Sequence, residues 1–351
     1  MNFCSPAAAL SERFAMQDAA AIRALGRWIL VAVLGTAVLL PRMALADYAA
    51  HPAASEFIDT MVSQHGFGRE EVESLLLDAE RQQSILDAIA RPAEKTKPWY
   101  EYRQIFLNER REREGIEFLH EHREVLARAQ AQTGVPAEVI VAILGVETYY
   151  GRVAGSYRVL DALSTLAFDY PKRSPFFTKE LENFLLLARE QGLDPTELKG
   201  SYAGAMGYGQ FMPSSYRAYA VDFDDDGVAD IWNNPEDAIG SVANYLARHG
   251  WRAGEPVVSP ARVGEGVAAE VFDGKLKPVR SVEELASAGV TADEALEPEA
   301  LATAMRFELE NGYEHWVGLN NLYVITRYNH SAMYAMSVFQ LSQRIAAGGR
   351  S

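Results

Sequence analysis

Cysteine is nearly absent from this chain: among 351 residues there is one, Cys4. Disulfides, and a cysteine nucleophile anywhere beyond that position, are excluded. Basic residues are also short, with 33 Lys and Arg against 48 Asp and Glu, a formal charge of −15. So acidic a chain argues against nucleic acid as a partner, because phosphates need a basic surface. Long hydrophobic runs are missing as well. The apolar run at 28–40, "WILVAVLGTAVLL", has 13 residues, and a membrane-spanning helix needs roughly 20. Internal repeats are absent, and a 48% apolar content leaves a globular protein with room for more than one domain.

What is present begins with a targeting pattern. Arg23 and Arg27 precede the apolar run, and "MALA" (43–46) ends it with small residues before Asp47. That is the order of a secretory signal peptide, cleaved after Ala46. Cys4 would leave with it, so no cysteine remains at the cleavage site for a lipid. Export suits the bacterial periplasm; an uncleaved segment would instead anchor the chain. Without residues 1–46 the chain has 29 basic and 46 acidic residues, a charge of −17.

Residues 55–92 carry helical periodicity and close at Arg91-Pro92. The stretch "KTKPWYEYRQIF" reads as a connector, and 109–132 as a charged amphipathic helix stopped by "TGVP". Helices and glycine-rich loops are expected over 136–250. The segment 256–325 differs, because "VAAEVF", "ATAMRFEL" and "NLYVITRY" have strand-like content around a helix-like "SVEELASAG". The end returns to helix. The expected fold class is α+β, mostly α, with a small β-containing insertion.

On the helix after Pro136, Val139, Ile140, Ile143, Leu144 and Glu147 share one face. A carboxylate at the buried end of an apolar face is expected to bind its proton more tightly, which suits a general acid. The alternative is a structural glutamate paired with Arg152. Next, "GSYAGAMGYGQFMPSS" (200–215) gathers four glycines with the polar side chains Ser201 and Gln210. Glycine lets backbone approach a ligand, and amide and hydroxyl groups suit sugar hydroxyl and acetamido groups. A tight structural corner would read the same way. Tyrosines cluster near these motifs, and their faces could line a sugar groove: Tyr102, Tyr149, Tyr150, Tyr245, Tyr328 and Tyr334, the last two in "TRYNHSAMYAM" with Asn329.

In "VDFDDDGVADIWNNPED", Asp222, Asp224 and Asp226 occupy positions 1, 3 and 5 of an EF-hand-like loop. Gly227 stands at 6, Val228 supplies a backbone carbonyl at 7, and Asp230 stands at 9. Carboxylates so placed repel without a cation, and calcium fits them. Position 12 is Asn233, and a carboxylate follows only at Glu236 or Asp237, so the loop (222–237) is longer than the usual twelve residues. Asp237 is taken as the last ligand, with Glu236 the alternative.

"GVETYYGR", "GSYAGAMGYGQFMPSSY", "DFDDDGVADIWNNPEDAIGSVANYLARHGW" and "NNLYVITRYNHSAMYAM" together resemble membrane-bound lytic transglycosylase B and its soluble relatives. These bacterial enzymes cleave the glycan strands of peptidoglycan. The resemblance runs from about residue 50 to 347. Beyond the signal peptide (1–46), it implies a lysozyme-like core with a calcium loop flanked by a helical and a β-containing domain, divided as a helical domain with a connector (47–132), the core with the calcium loop (133–255), a β-containing region (256–325), and a C-terminal helix returning to the core (326–351). It makes Glu147 the acid and base, and Ser201, Gln210, Tyr102, Tyr245, Tyr328, Asn329 and Tyr334 the substrate wall. Arg173, in "YPKRSPFF", corresponds to the family's contact with the peptide stem. The implied partners are glycan strands and stem peptides, with cell-wall synthesis or remodelling proteins as candidates; the chain is expected to act as a monomer. One structural calcium and no organic cofactor are implied. A single carboxylate suits a lytic transglycosylase, whereas most glycosidases use two. The rivals are a hydrolytic muramidase and a non-catalytic peptidoglycan-binding protein.

Overall fold

The structure is a computed structural model that describes residues 48–90 and 97–349; the proposed signal segment, 1–46, lies outside the described residues. Three short helices open it: α1 (Ala54–His65), α2 (Arg69–Asp78) and α3 (Gln83–Ile89). The periodicity over 55–92 is thus broken twice. Gly66, at φ +66°, ends α1 in the left-handed region where a Cβ is disfavoured. Residues 99–106, read as connector, form α4 (Trp99–Phe106), which buries Trp99 and Tyr102 one turn apart. The 109–132 stretch is two helices, α5 (Glu109–Glu121) and α6 (Arg123–Thr133), divided at His122.

The centre of the molecule is α7 (Ala137–Thr148). Spacing assigned it one apolar face, yet Val139 through Val146 are all buried, which is the behaviour of a helix surrounded by others. It packs against α5, α6, α11 (Pro235–Arg248) and α14 (Ala332–Gly348). Strand β1 (Tyr157–Arg158) leads into α8 (Val159–Asp169) and α9 (Ser174–Gln191), and pairs with β2 (Lys199–Gly200) beyond them. A loop and α10 (Pro213–Tyr219) follow.

The β-containing region is a five-stranded antiparallel sheet, ordered β4-β6-β7-β3-β5. Its strands are β3 (Val258–Val263), β4 (Arg280–Ser281), β5 (Val290–Ala292), β6 (Leu301–Glu308) and β7 (Tyr313–Gly318). Met305 and Phe307 face the helical core, while Ala302 and Ala304 face a separate small core with Leu285 of α12 (Val282–Ser287). A Ser281–Glu284 capping box starts α12.

Two of the three strand expectations here fail. "VAAEVF" gives a 3-10 turn at Ala269–Phe272, and "NLYVITRY" is α13 (Asn320–Tyr328). In α13, which packs on α14, Asn321, Leu322, Val324, Ile325 and Thr326 are buried, so tertiary burial overrides β-branched content. The chain is mostly helical with a small sheet, as the composition of its motifs implied.

Candidate active site

Glu147 is half-buried in the last turn of α7. The next two residues, Tyr149 and Tyr150, both have positive φ, 52° and 60°, a conformation uncommon for side chains of this size. Four contacts hold the turn. Tyr150 Oη donates to the Arg111 carbonyl at 2.7 Å, and its ring stacks on Phe118. The Arg111 guanidinium lies 3.7 Å from the Tyr149 ring centroid. Arg111 Nε also donates to the Gly145 carbonyl at 2.9 Å, placing a buried cation against the C-terminal end of α7, where the helix dipole favours it. A Cβ on Gly145 would come within 2.5 Å of Tyr150 Oη, so glycine there makes room for the clamp.

Arg152, the residue that could have made Glu147 a structural ion pair, bonds Glu114 at 2.6 Å. Glu147 meets a tyrosine instead: Tyr334 Oη, from the first turn of α14, donates to its Oε1 at 2.6 Å. Burial, then the charge of Glu147, holds the Tyr334 phenol well above its ordinary pKa, so it is a donor at any physiological pH. A hydrogen bond to a charged group contributes about 1.5–3 kcal/mol.

A cleft of about 210 Å³ opens over Glu147, lined by Gln210, Phe211, Met212, Tyr245, Tyr328 and Asn329 among others. Glu147 is the one carboxylate among its described lining residues. Gln210, at φ 50°, ends a tight turn, and its Nε2 donates to the carbonyls of Ala154 and Gly207, both at 3.0 Å. Tyr328 Oη donates to the Gly209 carbonyl at 2.6 Å, where a Cβ would leave 2.8 Å to that oxygen. Tyr245 Oη donates to the Arg327 carbonyl at 2.6 Å, and burial pushes its pKa up to about 12. The wall therefore offers aromatic faces to a ligand, because these phenol hydrogens are spent on backbone.

The remaining expected residues lie around this wall. Tyr102 is buried in α4 beside Trp99 and Phe106, close enough to Tyr334 to raise its pKa. Ser201 accepts the N–H groups of Ala203 (3.3 Å) and Ala205 (3.1 Å), which shapes the loop carrying Ala205 into the cleft. Arg173 is exposed at the head of α9, over Phe176 and Phe177, and does not line the cleft. Sequence reasoning missed Arg111, and it set Tyr149 and Tyr150 among the groove tyrosines, whereas neither lines this cleft. An arginine in a charged helix carries no signal of burial, although adjacent tyrosines after a helix end were a hint.

In the acidic loop, carboxylate oxygens of Asp222, Asp224 and Asp237 lie within 4.8 Å of one another. Asp237 is fully buried in the first turn of α11. It accepts the N–H groups of Phe223 (2.6 Å) and Asp230 (2.7 Å), yet burial still raises its pKa. Glu236 turns away to Arg128 at 3.0 Å. Asp226 accepts the Val228 N–H at 2.9 Å and is outside the three-carboxylate group, and Asp230 accepts the N–H groups of Trp232 and Asn233. Gly227, at φ +101°, makes the sharp turn. Three carboxylates with hard oxygen donors, one of them buried and desolvated, fit a calcium ion.

A helical body with one clamped glutamate beneath a tyrosine-walled cleft defines a lysozyme-like, glycan-cleaving class. Residues 49–343 match the Transglycosylase SLT domain family, and the chain belongs to it. It is 47% identical over 309 residues to the membrane-bound lytic murein transglycosylase B of Escherichia coli K12, spanning 86% of this chain and 84% of the relative. Among solved structures, the catenated lytic transglycosylase SltB1 from Pseudomonas aeruginosa is 55% identical, with a TM-score of 0.84, over 86% of this chain and all 100% of that one. The Escherichia coli lytic transglycosylase Slt35 in complex with calcium is 45% identical, with a TM-score of 0.80, over 87% and 96%.

Proposed function

We propose that the protein is a peptidoglycan lytic transglycosylase in which Glu147 performs both proton transfers. The observation that carries this is the lone cleft carboxylate, clamped by the α7 turn and hydrogen-bonded by Tyr334. Glu147 protonates the glycosidic oxygen between muramyl and glucosaminyl sugars, and the bond to C1 breaks. The charge growing on C1 is shared by the substrate's own N-acetyl group. The Glu147 carboxylate then takes the proton from the muramyl O6, which attacks C1 and closes a 1,6-anhydro ring. Tyr334 stabilises the carboxylate between these steps, with Tyr102 behind it. Gln210 and Asn329 suit acetamido and hydroxyl groups, and the faces of Tyr245 and Tyr328 exclude water from C1. Ser201 acts by holding the loop, and Arg173 contacts the stem peptide outside the cleft.

Product mass tests the reading. Purified glycan strands should yield muramyl ends 18 Da lighter than hydrolysed ones, the mass of one water, and no new reducing ends. Reducing muramic acid as the main product would make the enzyme a muramidase.

The calcium loop would be structural. Asp222, Asp224 and Asp237 would hold the ion, with the Val228 carbonyl completing the set, and an ion there would tie the loop to α11. The domain divisions implied by the resemblance are kept as they stand, with a monomer as the working form and cell-wall proteins as candidate partners. We also place the enzyme in the periplasm after cleavage at Ala46. N-terminal sequencing of the exported protein should start at or near Asp47; a full-length chain released only by detergent would refute cleavage. Among the described residues no single helix is long and apolar enough to cross a membrane.

A further inference from the structure

Thr148, the last residue of α7 and the neighbour of Glu147, is buried. A helical threonine commonly turns its hydroxyl back to the carbonyl four residues earlier. Here that bond, to Leu144, is the longer one at 3.2 Å. The shorter, at 2.8 Å, runs to the Tyr208 carbonyl, 60 positions along the chain. A hydroxyl carries one hydrogen, so Tyr208 is its better acceptor. The same oxygen accepts the Gly151 N–H at 2.9 Å. One side chain thus joins the turn after Glu147 to the turn that carries Gln210.

The Gln210 turn is itself narrow and well held. Met206 and Phe211 exchange both backbone hydrogen bonds at 2.9 Å, and Gly207 to Gln210 form the bend between them. The bend rests on Ile231, whose carbonyl accepts the Tyr208 N–H at 2.9 Å; a Cβ on Gly207 would come within 2.4 Å of that oxygen. It meets the segment after Glu147 at three points. Thr148 bonds the Tyr208 carbonyl, and the Tyr208 ring covers Gly151, where a Cβ would lie 2.1 Å from it. Gln210 Nε2 bonds the Ala154 carbonyl at 3.0 Å. Only the Thr148 bond is made by the residue beside the acid. Glu147, Gln210 and Phe211 line one cleft, so the register between the two segments sets where the acid stands against the wall.

We propose that Thr148 is a positioning residue: it fixes Glu147 against the Gln210 turn and so decides between ring closure and hydrolysis. The inference rests on the function proposed above. Both outcomes start from the same C1 centre and end with one proton on the Glu147 carboxylate. In ring closure the muramyl O6 bonds to C1 and gives up that proton. In hydrolysis a water oxygen bonds to C1 and gives up one of its own. Closure needs O6 and the carboxylate held in contact, and a misplacement of about 1 Å can cost about 10²-fold. Water needs no such register, because it enters wherever the wall leaves a gap. Loosening the two turns therefore slows closure more than it slows hydrolysis.

Thr148→Val and Thr148→Ser test this on purified glycan strands, with the products separated into anhydro and reducing muramyl ends. Valine keeps the shape and loses the hydroxyl, which leaves the Tyr208 carbonyl and the Gly151 N–H without it; serine keeps the hydroxyl. Thr148→Val should form anhydro ends about tenfold more slowly and release reducing ends beside them, with KM little changed. Thr148→Ser should restore both the rate and the product ratio. If Thr148→Val does not fold, as its melting curve would show, Thr148→Ala carries the comparison. A slower rate with an unchanged product ratio would make Thr148 a structural residue, and wild-type rate and ratio would leave its bond without this role; either overturns the proposal. Reducing ends as the main product of the wild type would remove the lytic reading and this inference with it. Anhydro ends from the wild type keep the lytic reading standing whatever the variants give.

Discussion

Glu147→Gln should lose at least 10⁴-fold in turnover, the upper end of what general acid–base catalysis contributes, about 10²–10⁴-fold. The amide has the shape of the acid but cannot donate the glycosidic proton or remove one from O6, so both half-reactions fail together. The fold should survive, because Glu147 is half-buried and forms no part of the α7 clamp, which runs through Arg111, Tyr149 and Tyr150. Its partner survives too, since an amide oxygen can still accept from Tyr334. Wild-type melting, retained glycan binding and absent turnover are the expected results, read by calorimetry, strand pull-down and product chromatography. Near-normal turnover would return Glu147 to a structural role.

Calcium should raise the melting temperature substantially, and chelation should reverse the rise. An ion that binds only the folded state stabilises it by about 2.7 kcal/mol at a hundredfold excess over Kd and about 4.1 at a thousandfold. For a chain of this size that is roughly 4–6 °C. Asp224→Ala should abolish the rise while keeping the fold, because Asp224 is exposed and its bonds to Asp226 N–H and Asn234 are local. Asp237→Ala is the harsher variant: it also frees two buried N–H groups, of Phe223 and Asp230, so its melting point should fall even without calcium. Identical wild-type curves with calcium and with chelator would rule the ion out.

Several features were readable before any fold was known because they are local. The alternating aspartates with Gly227 mark a turn wherever they occur, and the helix-like "SVEELASAG" folds as α12. Others were misread for the same reason. The β-branched run 321–328 signals a strand by composition, but its burial against α14 makes it helix. Residues 99–106 looked like linker until Trp99 and Tyr102 found a core to enter.

Sequence by itself determined the fold class, the glutamate on its apolar helix and the acidic loop, since each depends on residues a few positions apart. Tertiary structure alone decided which partner each group keeps. Tyr334 reaches Glu147 across 187 positions, and Arg152 is drawn off to Glu114. Asp237, not Glu236, turns toward Asp222 and Asp224. Arg111 closes under the end of α7. Burial sets the strength of these contacts, and burial is a property of what packs around a residue, which neighbours in the chain do not specify.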